Sequence, residues 1–497
     1  MSRSKEHPEN RSITASRPAP PHPAGSDFLQ LDIGRAPAGA RTEWLAGRLR
    51  AAIADGTLPV GSRLPATRVL AAELRVSRGL VTEAYQRLAE TGQVAGRGRG
   101  GTVVVAAPPP APAAPPGPAP RGGAVDALRA VPCRIDLSPG VPDLTAFPRT
   151  AWLQAERRVL AGLTAADFGY GDPQGAPALR AAVAGWLARN RGVRADPGEV
   201  VVVAGVAQAL WLLAGVLPGA GLRRVAVEDP GSLGARQQLE HGGLETVGVP
   251  VDAAGLDVAA LRASGAGAVL LTPAHQFPTG VVLDGERRRE LLVWAAGGGL
   301  VLEDDYDAEH RYDRAPVPAL RALAPESVAY AGSVSKLLAP ALRLGWLLVP
   351  RRLRDEVVEA KRHADLGNPV LAQLVLARLM DSGELERHLR FVRRRHRRRR
   401  DAMLDAIARH LPGARVHGAA AGLHLTVTFD GADFPDTALA ESALALGVKT
   451  HPLSWHRLTP GPPGLVLGYA AGPAAATEEG IALLGRSLHA LTRGRRR

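Results

Sequence analysis

At 497 residues the chain is long enough for two or three domains with separate cores, and its hydrophobic fraction of 46% is ordinary for a soluble globular protein. A single cysteine, Cys133, excludes an internal disulfide and any Cys-rich metal site, so a reducing cytoplasm is the expected compartment. The net charge of +13 favours an acidic partner without identifying one. Much of the excess lies in FVRRRHRRRR (391–400) and the terminal RGRRR, which read as an exposed helix face and a solvated tail, with a dedicated binding site as the alternative.

In chain order, residues 1–35 form a polar, Pro-rich tail with no secretory pattern in MSRSKEHPENRS. Residues 36–105 form a small domain, and 106–124 a linker built around AAPPPAPAAPPGPAPRGG, a composition that cannot make a core. Residues 125–497 form one large domain.

The small domain reads as three helices and a hairpin. Leu45, Leu49, Ala52 and Ile53 share a helix face, with Gly56 as its stop. A second short helix carries Leu70 and Leu74. Ser77 is a good N-cap for a third, whose buried stripe is Leu80, Val81, Ala84, Tyr85 and Leu88. Arg78, Gly79, Thr82, Glu83 and Gln86 are left on its exposed face. GRGRGGTVVV then suggests a hairpin with a basic tip. Residues 41–101 hold ten arginines against five acids, and an Arg/Thr-bearing helix start suits a DNA major groove. A small protein-interaction domain is the competing reading. IADGTLPVGSRLPATRVLAAELRVSRGLVTEAYQRLAETGQV resembles the winged helix-turn-helix of the GntR regulator family. That resemblance implies dimeric reading of double-stranded operator DNA, with roles for Arg68, Ser77, Arg78, Thr82 and the wing residues Arg97 and Arg99.

In the large domain, apolar runs at Val200–Val203, Val225–Val227, Ala268–Leu271, Leu300–Leu302 and Val328–Tyr330 alternate with helical stretches. The alternation predicts an α/β fold with a parallel sheet covered on both faces and ligands at the strands' carboxyl ends. Val200–Leu222 carries no charge and is long enough to cross a bilayer. Its texture changes at Gly205, however, so it reads as a buried strand, a turn and a buried helix, and no membrane association is expected.

Three features of this domain bear on chemistry. Only four of the 61 basic residues are lysines, and one of them, Lys336, sits in GSVSKLLAPALRLGW. A lysine, unlike an arginine, can lose its proton and attack an aldehyde. Ser333 and Ser335 offer hydroxyls nearby, and Arg343 is close enough to clamp a phosphate. GLVLEDDYDAEHRY places an acid cluster at a strand end that needs a cation, either Mg²⁺ or a protonated pyridine nitrogen. A phosphoryl-transfer site would also need a Gly-rich loop followed by Lys and Ser/Thr, which the chain lacks. GVAQAL at 205 puts a helix N-terminus where it can hold a phosphate. Together these groups describe a pocket for pyridoxal 5′-phosphate.

YGDPQGAPALR, TPAHQFPTG, LEDDYDAEHRY and SVSKLLAPALRLGW, in that order and spacing, resemble the aminotransferase-like domain of MocR-type regulators. In these a GntR winged helix is fused to a fold-type I aminotransferase body. The resemblance implies Lys336 as the Schiff-base lysine, Asp304 on the pyridine nitrogen, Tyr306 on the ring hydroxyl, and Ser333 and Arg343 with the turn at Gly205 on the phosphate. His275 is a further candidate. Tyr170 would reach the cofactor of a partner subunit, which implies a homodimer. Four departures stand beside these matches. Ser232 replaces a stacking aromatic, Val206 and Ala207 replace polar side chains of the phosphate turn, and Phe277 stands where aminotransferases have asparagine. Val466 stands where an enzyme carries the arginine that grips a substrate carboxylate, which removes its main handle. The expectation is a regulator that senses pyridoxal phosphate or an amino compound, with control of vitamin B6 or amino-compound metabolism as its task. Its alternatives are a working aminotransferase with an attached DNA reader and a regulator whose pocket binds no cofactor.

Overall fold

A computed structural model describes residues 28–107, 128, 131–312 and 317–494. Most of the expected tail and linker lies outside these residues. The chain divides into two compact units, 1–127 and 128–497.

In the first unit, α1 (Arg41–Ala54), α2 (Thr67–Glu73) and α3 (Arg78–Glu90) precede an antiparallel hairpin of β1 (Val94–Gly96) and β2 (Thr102–Val104). The apolar stripe of each helix meets in one core that includes Leu45, Leu49, Ile53, Leu70, Val81 and Leu88. The Ser77 hydroxyl caps α3 by accepting from the Leu80 amide at 3.3 Å. The turn ahead of it depends on Arg75, held at φ 53°.

The second unit is built on an eight-stranded sheet. Its strands are β3 (Val201–Val203), β4 (Arg224–Asp229), β5 (Glu245–Asp252), β6 (Gly255–Leu256), β7 (Ala268–Leu271), β8 (Leu300–Asp305), β9 (Val328–Ser333) and β10 (Gly345–Leu348). They lie in the order β3-β10-β9-β8-β7-β4-β5-β6. The sheet is mixed rather than parallel, because β10 runs antiparallel to both β3 and β9. The return from Ser333 to Gly345 is too short for a crossover helix, so the chain turns back on itself, with the Val334 amide donating to the Leu344 carbonyl at 3.1 Å. Apolar clusters cover both faces. The uncharged run after Val200 is β3 followed by the buried helix α4 (Val206–Val216), and no described helix is long and apolar enough to cross a membrane.

A C-terminal lobe adds a four-stranded antiparallel sheet of β11 (Arg415–His417), β12 (His424–Thr428), β13 (His451–Pro452) and β14 (Gly464–Gly468). The helices α5 (Glu384–His410) and α6 (Ala474–Gly494) pack with it around Met403, Ile407, Leu425, Leu467 and Ile481.

Candidate functional site

The carboxyl ends of β3, β9 and β8, together with the start of the antiparallel β10, lie along one edge of the large sheet, and the predicted residues gather there. Asp304 is the last residue but one of β8, in register with Ala331 of β9. Strand alternation separates the acids around it. Glu303 and Asp305 point to one face, where Glu303 accepts from the Leu320 and Arg321 amides at 2.9 and 3.0 Å and Asp305 pairs with the buried Arg191 at 2.6 Å. Asp304 points to the other face. Its Oδ1 is buried with no hydrogen-bond partner among the described residues. Burial, reinforced by the neighbouring Asp305 and Asp307, pushes its carboxyl up to about 7, while Lys336 opposes the shift. Asp304 lines a pocket with Glu228, Ser232, Arg236 and Thr272. Glu228, at the end of β4, is a second buried carboxyl, held up at about 7 by desolvation even though it accepts from the Thr272 amide and hydroxyl at 3.0 and 2.8 Å.

Lys336 follows the end of β9, and its Nζ donates to the carbonyl of Gly140. Gly140 has φ 77°, and a side chain there would press on the ammonium, with its Cβ 3.2 Å from Nζ. Tyr306 is two residues beyond Asp304, just past the end of β8. Its hydroxyl lies 3.0 Å from His275 Nδ1, which lies 2.9 Å from Asp307 Oδ2. Burial and the surrounding acids hold that phenol well above its ordinary value, so it is neutral. His275 is itself 1% exposed and meets the site through Tyr306.

A second cluster is made by Gly205, Ser333 and Arg343. Gly205 begins α4 at φ 86°, which leaves the helix's first amides free of a side chain on that side. A Cβ at Gly205 would stand 3.3 Å from both terminal nitrogens of Arg343, so only glycine lets the guanidinium lie across the helix start. Arg343 occupies a left-handed conformation and donates to the Ala204 carbonyl. Gly345 completes the close approach, since its own Cβ would fall 3.0 Å from Gly205 Cα and 3.1 Å from Ser333 Cβ. A helix N-terminus, a guanidinium and a hydroxyl thus converge on one spot, the donor set a phosphate takes.

The departures also have physical accounts. Ser232 caps the helix at Leu233–His241, its hydroxyl accepting from the Ala235 amide at 3.3 Å. Phe277 packs edge-on against Tyr306, His424 and His456. Val466 is fully buried in β14 between Thr426 and His451. Tyr170 makes none of these contacts and is 93% exposed. The sequence reading overlooked Glu228, although it carries the same signal as Asp304: an acid directly after an apolar run, Val225–Val227. Asp307 was overlooked as well, and only the fold brings it to His275.

In the small unit Arg68, Ser77, Arg78, Thr82 and Arg97 are all exposed. Arg78 reaches Thr67 at 3.4 Å and Thr82 donates to the Arg78 carbonyl at 3.0 Å, so α2 and the first turn of α3 present one polar face. Arg99 belongs to the tight turn Gly98–Gly100 of the wing.

Residues 41–104 match the family of bacterial regulatory proteins known as gntR, and residues 134–463 match aminotransferase class I and II. The chain is 33% identical over 450 residues to a protein named "Probable rhizopine catabolism regulatory protein MocR" of Rhizobium meliloti, covering 87% of this chain and 91% of that one. It is 34% identical to the HTH-type pyridoxine biosynthesis transcriptional regulator PdxR of Corynebacterium glutamicum, over 82% and 87% of the two chains. Among solved structures, α-aminoadipate aminotransferase LysN of Thermus thermophilus, complexed with N-(5′-phosphopyridoxyl)-L-leucine, matches 75% of this chain and 96% of its own. The TM-score is 0.67 at 29% identity. The aminotransferase class I and II fold family depends on pyridoxal phosphate. With one family match spanning well over half of the chain, and those regulators aligned along most of it, the chain belongs to the MocR-type regulators of the GntR family, transcriptional regulators in which a DNA-binding helix-turn-helix domain is joined to an aminotransferase-like domain.

Proposed function

We propose that the large unit binds pyridoxal 5′-phosphate through Lys336 and that the chain is an operator-binding regulator whose effector is this cofactor or an amino compound condensed with it. The observation that carries the reading is Asp304: a carboxyl whose buried Oδ1 has no hydrogen-bond partner among the described residues, lining a pocket, with a lysine close enough to oppose its shift. A buried acid of this kind is costly unless a cationic donor meets it, and a protonated pyridine nitrogen is such a donor.

The cofactor supplies an aldehyde that condenses with amines, and the chain's own residues hold and orient it. Gly205, Ser333 and Arg343 would take the phosphate. Asp304 would keep the proton on the ring nitrogen. Tyr306, neutral and buttressed by His275 and Asp307, would donate to the ring hydroxyl. Lys336 would be the covalent attachment point. Tyr170 supports a homodimer, because an aromatic ring left almost wholly in solvent by one chain is suited to burial against a second. Val466 leaves no guanidinium on β14 for a substrate carboxylate, which favours sensing over turnover. Occupancy of the pocket would then bias operator affinity through the linkage between the two binding events, and a cofactor that is its own signal points to control of vitamin B6 supply.

The test is borohydride reduction of the purified protein after addition of cofactor, followed by peptide mapping. The expected result is a long-wavelength absorbance band that bleaches on reduction, with the label on Lys336. Lys336→Arg should abolish the band and leave DNA binding in place. A label on Lys361 or Lys449, or no label, would overturn the proposal.

A further inference from the structure

The run FVRRRHRRRR lies in the middle of α5, a helix of 27 residues, and the structure divides its arginines into two sets. One set is occupied. Arg393 donates to the Glu309 carbonyl at 3.0 and 2.7 Å, Arg395 and Arg399 reach Asp143 at 2.7 and 3.0 Å, and Arg400 donates to the Ala419 carbonyl at 2.9 Å with its guanidinium 4.9 Å from the Tyr312 ring. The other set is Arg390, Arg394, Arg397 and Arg398. These four are exposed, and none has a hydrogen bond or ion pair among the described residues. The acids close by are already used: Glu384 by Arg387, Glu386 by Arg189 and Asp401 by Arg400.

Arg390, Arg394 and Arg398 stand four residues apart on one face of the helix. Like charges at this spacing repel and destabilise a helix by about 0.2–0.5 kcal/mol per pair, and no acid among the described residues pairs with them to offset that cost. Four residues of helix rise about 6 Å, comparable with the separation of successive phosphates along a nucleic-acid strand. The planar guanidinium is also the side chain best matched to phosphate oxygens. The same chain carries a helix-turn-helix that binds DNA, so a phosphate polymer is the polyanion it meets.

We propose that this outward face of α5 is a second DNA-contact surface, binding backbone phosphates beyond those held by the winged helix. It would carry no base preference and would act as a charge-driven grip.

The experiment uses the full chain and its Arg390→Gln/Arg394→Gln/Arg398→Gln variant. Affinity for a long mixed-sequence duplex is measured across a salt series. Each phosphate contact adds about 0.9 to the slope of log affinity against log salt, so the variant's slope should be shallower by about 3. Between 200 and 50 mM salt the wild-type chain should therefore gain about 40-fold more affinity than the variant. The variant should keep its circular dichroism and melt no lower than the wild type, because the repulsion is relieved. Equal slopes in a folded variant would show the stripe to be a solvated face and overturn the proposal. A change in oligomeric state by sedimentation, with equal slopes, would assign the stripe to a second copy of the chain and overturn it equally.

Discussion

Replacing Asp304 with asparagine should produce two effects of opposite sign. Burial and two neighbouring acids raise the Asp304 carboxyl from the usual 3.8 to about 7. An acid whose pKa is raised on folding contributes stability that is full below the unfolded value and is lost as pH climbs towards the folded one. Without cofactor, the wild-type protein should therefore lose stability between about pH 4 and 7. The limit is on the order of 4 kcal/mol for three pKa units, and less in practice because the residue is only partly buried. Asparagine fits the same space and does not titrate. Cofactor-free Asp304→Asn should melt higher than wild type at pH 8 and match it at pH 4. Its cofactor affinity should move the other way. Losing a hydrogen bond between charged groups costs about 1.5–3 kcal/mol, or roughly 10- to 150-fold in dissociation constant. Thermal melts of the stripped protein at several pH values and a fluorescence titration with pyridoxal phosphate measure both. A variant with an unchanged pH–stability curve and unchanged affinity would refute the assignment of Asp304 to the ring nitrogen.

Two other outcomes are expected. Arg78→Ala should cost roughly 1–3 kcal/mol of operator binding and relax sequence preference, whereas Arg97→Ala should weaken binding evenly and flatten its salt dependence; quantitative gel shifts over a salt series separate them. With Val466 buried on β14 and no guanidinium on that strand to take a substrate carboxylate, transamination of common amino acids should fall below the usual enzyme range of about 1–10³ per second, as a steady-state panel of amino and keto acids can check.

The sequence makes the small unit legible nearly residue by residue, because its helices are local: caps, stops and apolar stripes lie within a few residues of one another. In the large unit the strands are legible, and so is the grouping of Asp304, Lys336 and Arg343 at their carboxyl ends, but the pairing is not. An apolar run such as Gly345–Leu348 reads the same in either direction, and only the length of the return from Ser333 sets it antiparallel. Asp304 and Asp305 look alike in sequence. Their difference comes from alternation across β8 and from Arg191, which lies over a hundred residues away and takes Asp305 for the core. Lysine identity is informative for the same reason. Lys361 is fully buried and bonded to Asp365 at 2.9 Å and Asn368 at 2.8 Å, a structural ion pair on its own helix. Lys449 is buried in a short strand beside Ile135–Asp136. Lys336 alone among the described lysines follows a strand's carboxyl end next to an acid held near pH 7. Burial and the neighbouring acids disfavour a lone carboxylate at that position. A cationic ring brought beside it would relieve that penalty, and the residue best placed to capture the ring covalently is the one that can give up its proton.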